Sequence, residues 1–474
     1  MIQPRVSMRK ALSDSMLLGA AMAGESWFAW KALLISCVDG GAALISSQER
    51  DAVCILTGRD PFTIQPGQLE LIFICGRRSG KTRALAVLAV FYSCFVDYSK
   101  VLSSGERGVA AILSASTAQA AKAFEHISGI LHDSRVLEQL ITNESSDTIK
   151  LSNSIDLMVR PASFRTIRGI TAVFIGCDET CFWFSEGSAN PDVEVLNAAR
   201  PSLATTNGKL IIISSPYSRK GATYGLWRDN YGKNNNGIVV AQAASRTLNP
   251  TLPQSVVDRA MATDRAVAKA EFLGQWRDDI ESFLPRNVVE AVVPPGVYER
   301  APVPGRHYYG FVDLSGGRSD SSVLAIGHTE GRMRLLDLIR EIPAPHSPQA
   351  AIEEFAGLCE RYYLKRVVSD KYSADFAIDA FRAHRITLEQ TAPVRSELYI
   401  ELLPLITSRE CSLLDHDGLV SQLSNLERRN SGNRPIIDHP ANGHDDIANA
   451  VAGCLAGLRR TSGYTLEDLR AACA

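Results

Sequence analysis

The apolar positions change rhythm along the chain. Within the first fifty residues, Trp27, Trp30, Leu33 and Leu34 fall at helical spacing, which predicts a helical segment over residues 1–50. From Leu69 onward short apolar runs alternate with longer amphipathic ones. The short runs are Leu69–Cys75, Ala110–Ser114, Ala172–Cys177, Leu210–Ser214 and Ile238–Ala241. Runs of this length bounded by loops suit strands buried on both faces, so the expected fold class is α/β with a mostly parallel sheet. The longest apolar stretch, Ala84–Val96, falls short of the ~20 residues that span a bilayer and reads as a buried helix.

Ala270–Trp276 reads as the last helix of this unit, which is assigned residues 51–283. A Pro-rich passage follows, with Pro294, Pro295, Pro302 and Pro304, and a linker is expected over residues 284–305. Beyond it, Tyr308–Leu314 and Ser322–His328 surround a Gly-Gly turn and predict a β-hairpin. A helix (Pro348–Tyr362), a strand (Arg366–Asp370) and a final helix (Asp445–Leu458) complete a second α/β domain over residues 306–474.

Composition narrows the function classes. A chain of 474 residues is expected to hold two or three domains. Lys plus Arg (50) and Asp plus Glu (52) nearly cancel to −2, which excludes a globally basic nucleic-acid coat but permits a local basic channel. The 10 cysteines are scattered, the closest pair being Cys177 and Cys181, so free thiols in a reducing cytoplasm are expected rather than disulfides or structural zinc. Met16–Gly24 has the length of a short signal core. Asp14 separates it from the preceding basic residues, so no cleaved signal is expected.

Two constellations carry chemistry. The first is Leu69–Cys75 running into Gly76-Arg77-Arg78-Ser79-Gly80-Lys81-Thr82 and then into a helix. Such a strand–loop–helix cradles phosphates: backbone N–H groups turn inward, Lys81 meets the β/γ-phosphates and the Thr82 hydroxyl ligates Mg²⁺. Cys75 stands where the standard motif has its first glycine. Downstream, Thr171–Cys177 ends in Asp178-Glu179, placed to hold Mg²⁺ and to polarise an attacking water. Ser214-Ser215-Pro216 closes a third strand, where a γ-phosphate sensor is expected. Arg77, Arg78 and Arg168 are the candidates to meet developing charge on that phosphate.

The second constellation is acidic. Asp313 ends one strand, Asp370 another, and His444-Asp445-Asp446 opens the last helix. Each aspartate alone has an ordinary reading: Asp445 or Asp446 as a helix cap, Asp370 as a turn, Asp320 as the hairpin turn. Jointly they predict oxygen ligands for a pair of Mg²⁺ or Mn²⁺ ions, the arrangement that clamps a phosphodiester during in-line displacement. His444 is read as adjacent to the site rather than a ligand, and Lys371, Arg428, Arg429 and Arg434 as a phosphate path.

Over roughly Trp27 to Leu458 the chain resembles the large terminase subunits of tailed bacteriophages. The resemblance is carried by GRRSGKT (Gly76–Thr82), Arg168-Gly169, the strand ending in Asp178-Glu179, SSPYSRKGATY (Ser214–Tyr224), EFLGQW (Glu271–Trp276), Asp313 with its Gly-Gly turn, and IDHPANGHDDIANAVAG (Ile437–Gly453). It implies a P-loop ATPase domain of ASCE type followed by an RNase H-like nuclease domain. The ATPase would drive double-stranded DNA into a procapsid through a portal protein, and the nuclease would cut concatemeric DNA. Partners implied are a small terminase subunit and further copies of the chain in a ring, in the host cytoplasm and without a membrane. By the same resemblance Lys81 and Thr82 bind ATP and Mg²⁺, Asp178 is the Walker B carboxylate and Glu179 the catalytic base. Ser214–Pro216 would couple hydrolysis to movement, and Arg168 would act as an arginine finger across a subunit boundary. Asp313, Asp370 and Asp445 would be the nuclease carboxylates, with Asp446 sharing the role. Adenine contacts are expected near Leu56–Phe62 and Gln65. Two rivals stay open: a helicase- or recombination-type ATPase whose C-terminal domain only holds DNA, and a non-enzymatic virion or scaffold protein.

Overall fold

A computed structural model describes residues 4–163, 167–183, 191–234, 237–318, 320–370, 375–391, 393–431, 434–440 and 443–458. Among these the chain divides into two compact units, with the boundary between Asp278 and Asp279.

The first unit is built on eight strands: β1 (Glu70–Cys75), β2 (Gly108–Ser114), β3 (Ile141–Glu144), β4 (Thr148–Leu151), β5 (Ile155–Pro161), β6 (Ala172–Asp178), β7 (Lys209–Ser214) and β8 (Ile238–Ala243). Their order across the sheet is β3-β4-β5-β2-β6-β7-β1-β8. Strands β5, β2, β6, β7, β1 and β8 run parallel, and β3 and β4 add an antiparallel edge. All five apolar runs of the sequence are parallel strands. The expectation missed β3 to β5: β4 and β5 alternate buried and outer positions at period 2, and β3 is mostly exposed.

The apolar stretch after the phosphate loop forms the Lys81–Cys94 helix, in which every residue from Ala84 to Ser93 is buried. It is enclosed because the N-terminal segment covers it. Met8, Leu12, Trp30, Leu33 and Leu34 share one apolar cluster with Leu71, Phe73 and this helix. The Trp30 ring meets Phe73 edge-on at 5.7 Å. The helices of residues 4–50 therefore belong to the first unit's core rather than forming an appendage.

In the second unit a six-stranded sheet has the order β14-β13-β10-β11-β12-β15. Its strands are β10 (Tyr308–Asp313), β11 (Ser322–Glu330), β12 (Met333–Ile342), β13 (Arg366–Ser369), β14 (Thr387–Gln390) and β15 (Cys411–Ser412). The predicted hairpin is β10–β11, extended antiparallel by β12, while β13 and β14 join β10 on its other side in parallel. Three antiparallel strands followed by two parallel ones is the RNase H-like arrangement. A small sheet, β17-β16-β9, lies beside it, formed by β9 (Ile280–Ser282), β16 (Glu427–Ser431) and β17 (Arg434–Asp438).

Residues 284–305 are not the linker that their prolines suggested. Phe283, Leu284, Val289 and Val292 are buried with Leu398, Tyr399, Leu426 and Ile447, and β9 pairs with β16. Proline reports the absence of a regular ladder, not the absence of packing. The segment opens the second unit's core.

The last helix, Asp446–Gly457, lies close against β10. A Cβ built on Gly453 would come within 2.4 Å of the Phe311 ring, whereas one on Gly357, in the Pro348–Arg361 helix, meets nothing within 4 Å. Gly453→Val should therefore destabilise the full chain by about 1–3 kcal/mol through overpacking. Gly357→Ala should be neutral or stabilise by up to about 1 kcal/mol through helix propensity. Denaturant unfolding of both variants checks the contrast.

Candidate active sites

The first site forms where β1, β6 and β7 end on the same edge of the parallel sheet, the edge at which loops converge in such folds. Strand β7 lies between the other two. Gly76 has no room for a side chain: an added Cβ would sit 2.3 Å from Ser245 Oγ and 2.9 Å from two backbone oxygens. Arg78 and Gly80 adopt left-handed backbone, with φ of 64° and 86°. Lys81 then starts the helix. Its Nζ lies 2.9 Å from Glu179 Oε1 and donates to Ser215 Oγ at 2.7 Å. Glu179 Oε2 accepts the Ser215 N–H at 2.9 Å. Glu179 itself is left-handed (φ 57°), a conformation that a non-glycine residue holds only when its surroundings impose it.

Asp178 is almost wholly buried, and Thr82 Oγ1 approaches its Oδ2 at 3.5 Å. Its Oδ1 has no hydrogen-bond partner, and neither does the buried Ser79 hydroxyl. Burial, and then the Glu179 charge, push the Asp178 carboxyl up to about 7 against the opposing pull of Lys81 and Thr82. The orphaned Asp178 and Ser79 oxygens fit a Mg²⁺–triphosphate. Ser214 Oγ accepts the Cys181 N–H at 3.1 Å and donates to Ser215 O, which joins the ends of β6 and β7.

The arginine candidates separate. Arg77 is exposed and pairs with Glu271 at 3.0 Å; Arg78 is exposed. Arg168 lines a different cavity of about 790 Å³ with Gly169, Glu194, Asn197 and Pro201, and no residue of the phosphate loop lines it.

The second site rests on register. Val312 of β10 pairs with Ser369 of β13, so Asp313 and Asp370 occupy matching positions at adjacent parallel strand ends. Asp313 is buried, and its Oδ2 accepts from Asn449 Nδ2 at 2.7 Å. Its carboxyl is pushed up to about 7 by burial first, with Asp370 and Asp446 adding to the rise and Asn449 and Arg395 opposing it. Asp446 is likewise raised, by burial, Asp445 and Asp320.

Asp445 behaves differently. Arg395 donates to its Oδ1 at 2.9 Å and Tyr399 to its Oδ2 at 2.8 Å, so both oxygens are committed to protein donors. The resemblance implies Asp445, with Asp446 sharing the role, and the sequence leaves the choice between them open. Asp370 and Asp446 both add to the rise at Asp313, but among the described residues neither Asp313 nor Asp370 belongs to a group of three His, Cys, Asp or Glu ligands within 4.8 Å of one another. Ligand atoms of Asp320, His444 and Asp446 lie within 4.8 Å of one another, as do those of Asp438, His439 and Asp445. His444 stands 3.6 Å from Asp320. Arg429 pairs with Glu427, Arg428 is exposed, and Lys371 and the Arg434 side chain lie outside the described residues.

Sequence reading missed Asn449, Arg395 and Tyr399. Arg395 and Tyr399 stand four apart on the Arg395–Thr407 helix, one face of a turn, which was a legible signal; their partner fifty residues on was not.

Residues 72–282 match the family model described as terminase large subunit, T4likevirus-type, N-terminal. The chain is similar to the large terminase subunits. Solved terminase structures align with it at low identity. The large terminase of bacteriophage HK97 is 15% identical over 87% of this chain and 95% of its own, with a TM-score of 0.37. The large terminase of a thermophilic bacteriophage, in complex with ADP, is 12% identical over 83% and 95%, also at 0.37. The large terminase nuclease of thermophilic phage G20c with bound cobalt is 16% identical over 36% of this chain and 96% of its own, at 0.32. None of the curated proteins matches. The family match falls almost wholly within the first unit.

The raised Asp313 carboxyl fixes the sign of a pH effect. The folded protein holds this proton up to about 7, whereas the unfolded chain releases it near the ordinary 3.8. Folded stability from this group is therefore lost as pH rises through that window. In chelator-treated protein, Asp313→Asn should be more stable than wild type at pH 8 by about 1–3 kcal/mol, and the difference should vanish near pH 4. Melting curves across pH check it, and Mg²⁺ or Mn²⁺ should raise the wild-type melting temperature more than the variant's.

Proposed function

We propose that the chain is the motor and cutting subunit of a phage DNA-packaging machine: it hydrolyses ATP to drive double-stranded DNA into a procapsid and cuts concatemeric DNA with divalent metal. The observation that carries the motor half is the convergence of Lys81, Asp178, Glu179 and Ser215 from three strand ends. Lys81 is held by Glu179 and Ser215. A triphosphate entering the loop competes for the ammonium and frees Glu179 to take a proton from the attacking water. Thr82 and Asp178 would hold the Mg²⁺ that accompanies ATP. Ser215 touches both Lys81 and Glu179, which supports a role for the segment after β7 in sensing the phosphate.

For cutting, Asp313, Asp370 and Asp446 would hold Mg²⁺ or Mn²⁺. When bound, such ions neutralise phosphodiester charge and acidify water. Asn449 keeps Asp313 Oδ2 fixed, and Arg395 with Tyr399 locks Asp445 at the helix start, which orients Asp446 beside it. A near-neutral chain suits a ring of copies around DNA, with contacts weak enough to release at each step. Portal, small subunit and ring assembly belong to this proposal, as does Arg168 acting on a neighbouring copy.

DNA-stimulated ATP hydrolysis should fall by about 10²-fold or more in Lys81→Ala and Glu179→Gln while plasmid nicking continues. Nicking in Mn²⁺ should be lost in Asp313→Asn and Asp370→Asn with ATPase activity intact, and Asp446→Asn should cost more nicking than Asp445→Asn. Wild-type protein that hydrolyses ATP but never nicks DNA would favour the helicase- or recombination-type reading.

A further inference from the structure

Three consecutive carbonyls of the phosphate loop are captured from behind by side chains outside the strand–loop–helix motif. Ser245 Oγ donates to Arg77 O at 2.6 Å, Asn249 Nδ2 to Arg78 O at 2.8 Å, and Trp30 Nε1 to Ser79 O at 2.7 Å. Trp30 comes from the Phe28–Asp39 helix, and Ser245 and Asn249 from the turn that follows β8. Trp30 and Ser245 are wholly buried.

The consequence follows from peptide geometry. A trans peptide points its N–H opposite to its C=O, so anchoring these three oxygens turns the N–H groups of Arg78, Ser79 and Gly80 the other way. Among the described residues none of those three N–H groups donates to a backbone acceptor. The left-handed backbone at Arg78 and Gly80 is the alternation that curls successive amides into an anion-binding nest. Behind the nest, a Cβ on Gly80 would lie 2.7 Å from the Trp27 ring, so the loop cannot relax backward without displacing that indole.

We propose that Trp30, Ser245 and Asn249 are positioning residues that hold the loop's amides ready for a polyphosphate before one binds. The proposal rests on reading the loop as the ATP site, and it assigns these donors to phosphate affinity rather than to the chemical step. A loop already ordered spends none of the binding free energy on its own ordering. The N-terminal helical segment thereby belongs to the nucleotide site.

The test uses the full chain in Mg²⁺, with ADP and with inorganic tripolyphosphate, which has no base or sugar. Trp30→Phe keeps a ring and removes the donor, and Ser245→Ala and Asn249→Ala remove the other two. Trp30→Phe and Ser245→Ala should weaken binding of both ligands by about three- to tenfold, and Asn249→Ala, whose bond is exposed, by about two- to threefold. KM for ATP should rise in step while kcat stays within about twofold. Trp227→Phe serves as the control. It removes an indole bond to Gln242 (3.0 Å) in the same unit that involves none of the loop's carbonyls, and should leave both affinities unchanged. Asn249 is half-buried, so its variant carries the test even if the Trp30 variant fails to fold. Wild-type binding matched by folded Asn249→Ala overturns the positioning role alone, as does a fall in kcat with KM unchanged. Wild-type protein that binds neither ligand overturns both this role and the ATP reading.

Discussion

Placing an ionised carboxylate inside a folded core costs several kcal/mol unless donors or cations compensate it, and this chain buries aspartates at strand and helix ends in both units. Compensation is uneven, and the unevenness separates their roles. Asp445 has a donor on each oxygen, from Arg395 and Tyr399. Asp178 keeps one oxygen without any partner, and Asp313 is held on one oxygen by an uncharged amide. Both of these carboxyls are pushed up to about 7. These are the places where a cation would relieve the fold as well as serve chemistry.

Strand order delivers the groups to those places. Because β7 separates β1 from β6, its terminal serines stand between the phosphate loop and the Asp178-Glu179 pair, and Ser215 bonds to both Lys81 and Glu179. In the second unit the parallel β10–β13 pairing sets Asp313 level with Asp370. The tight approach of Gly453 to Phe311 brings the start of the last helix to the same edge. The acidic groups are held by the rigid parts of each sheet rather than by loop sequence alone, which suits sites needing sub-ångström placement.

Much of this was legible in one sequence. Buried parallel strands carry unbroken apolar runs, so β1, β2, β6, β7 and β8 announced themselves, and Gly76–Thr82 followed by Asp178-Glu179 marked the strand ends that meet in the first candidate site. Strands β3 to β5 were missed because β4 and β5 alternate buried and outer positions and β3 is mostly exposed, and residues 284–305 were misjudged because proline content says nothing about what packs beneath it.

What local pattern determines is what neighbours along the chain can decide: which runs form strands, where a helix begins, which side chains are able to bind phosphate or metal. Pairings across long separations were decided only by the tertiary structure. The capture of Ser79 by Trp30, the clasp of Lys81 by Glu179 and Ser215, and the donors that Arg395 and Tyr399 bring to Asp445 all depend on which distant side chain arrives. The physical reason is that a hydrogen bond or charge pair acts over a few ångströms in space, whatever the number of residues between its partners.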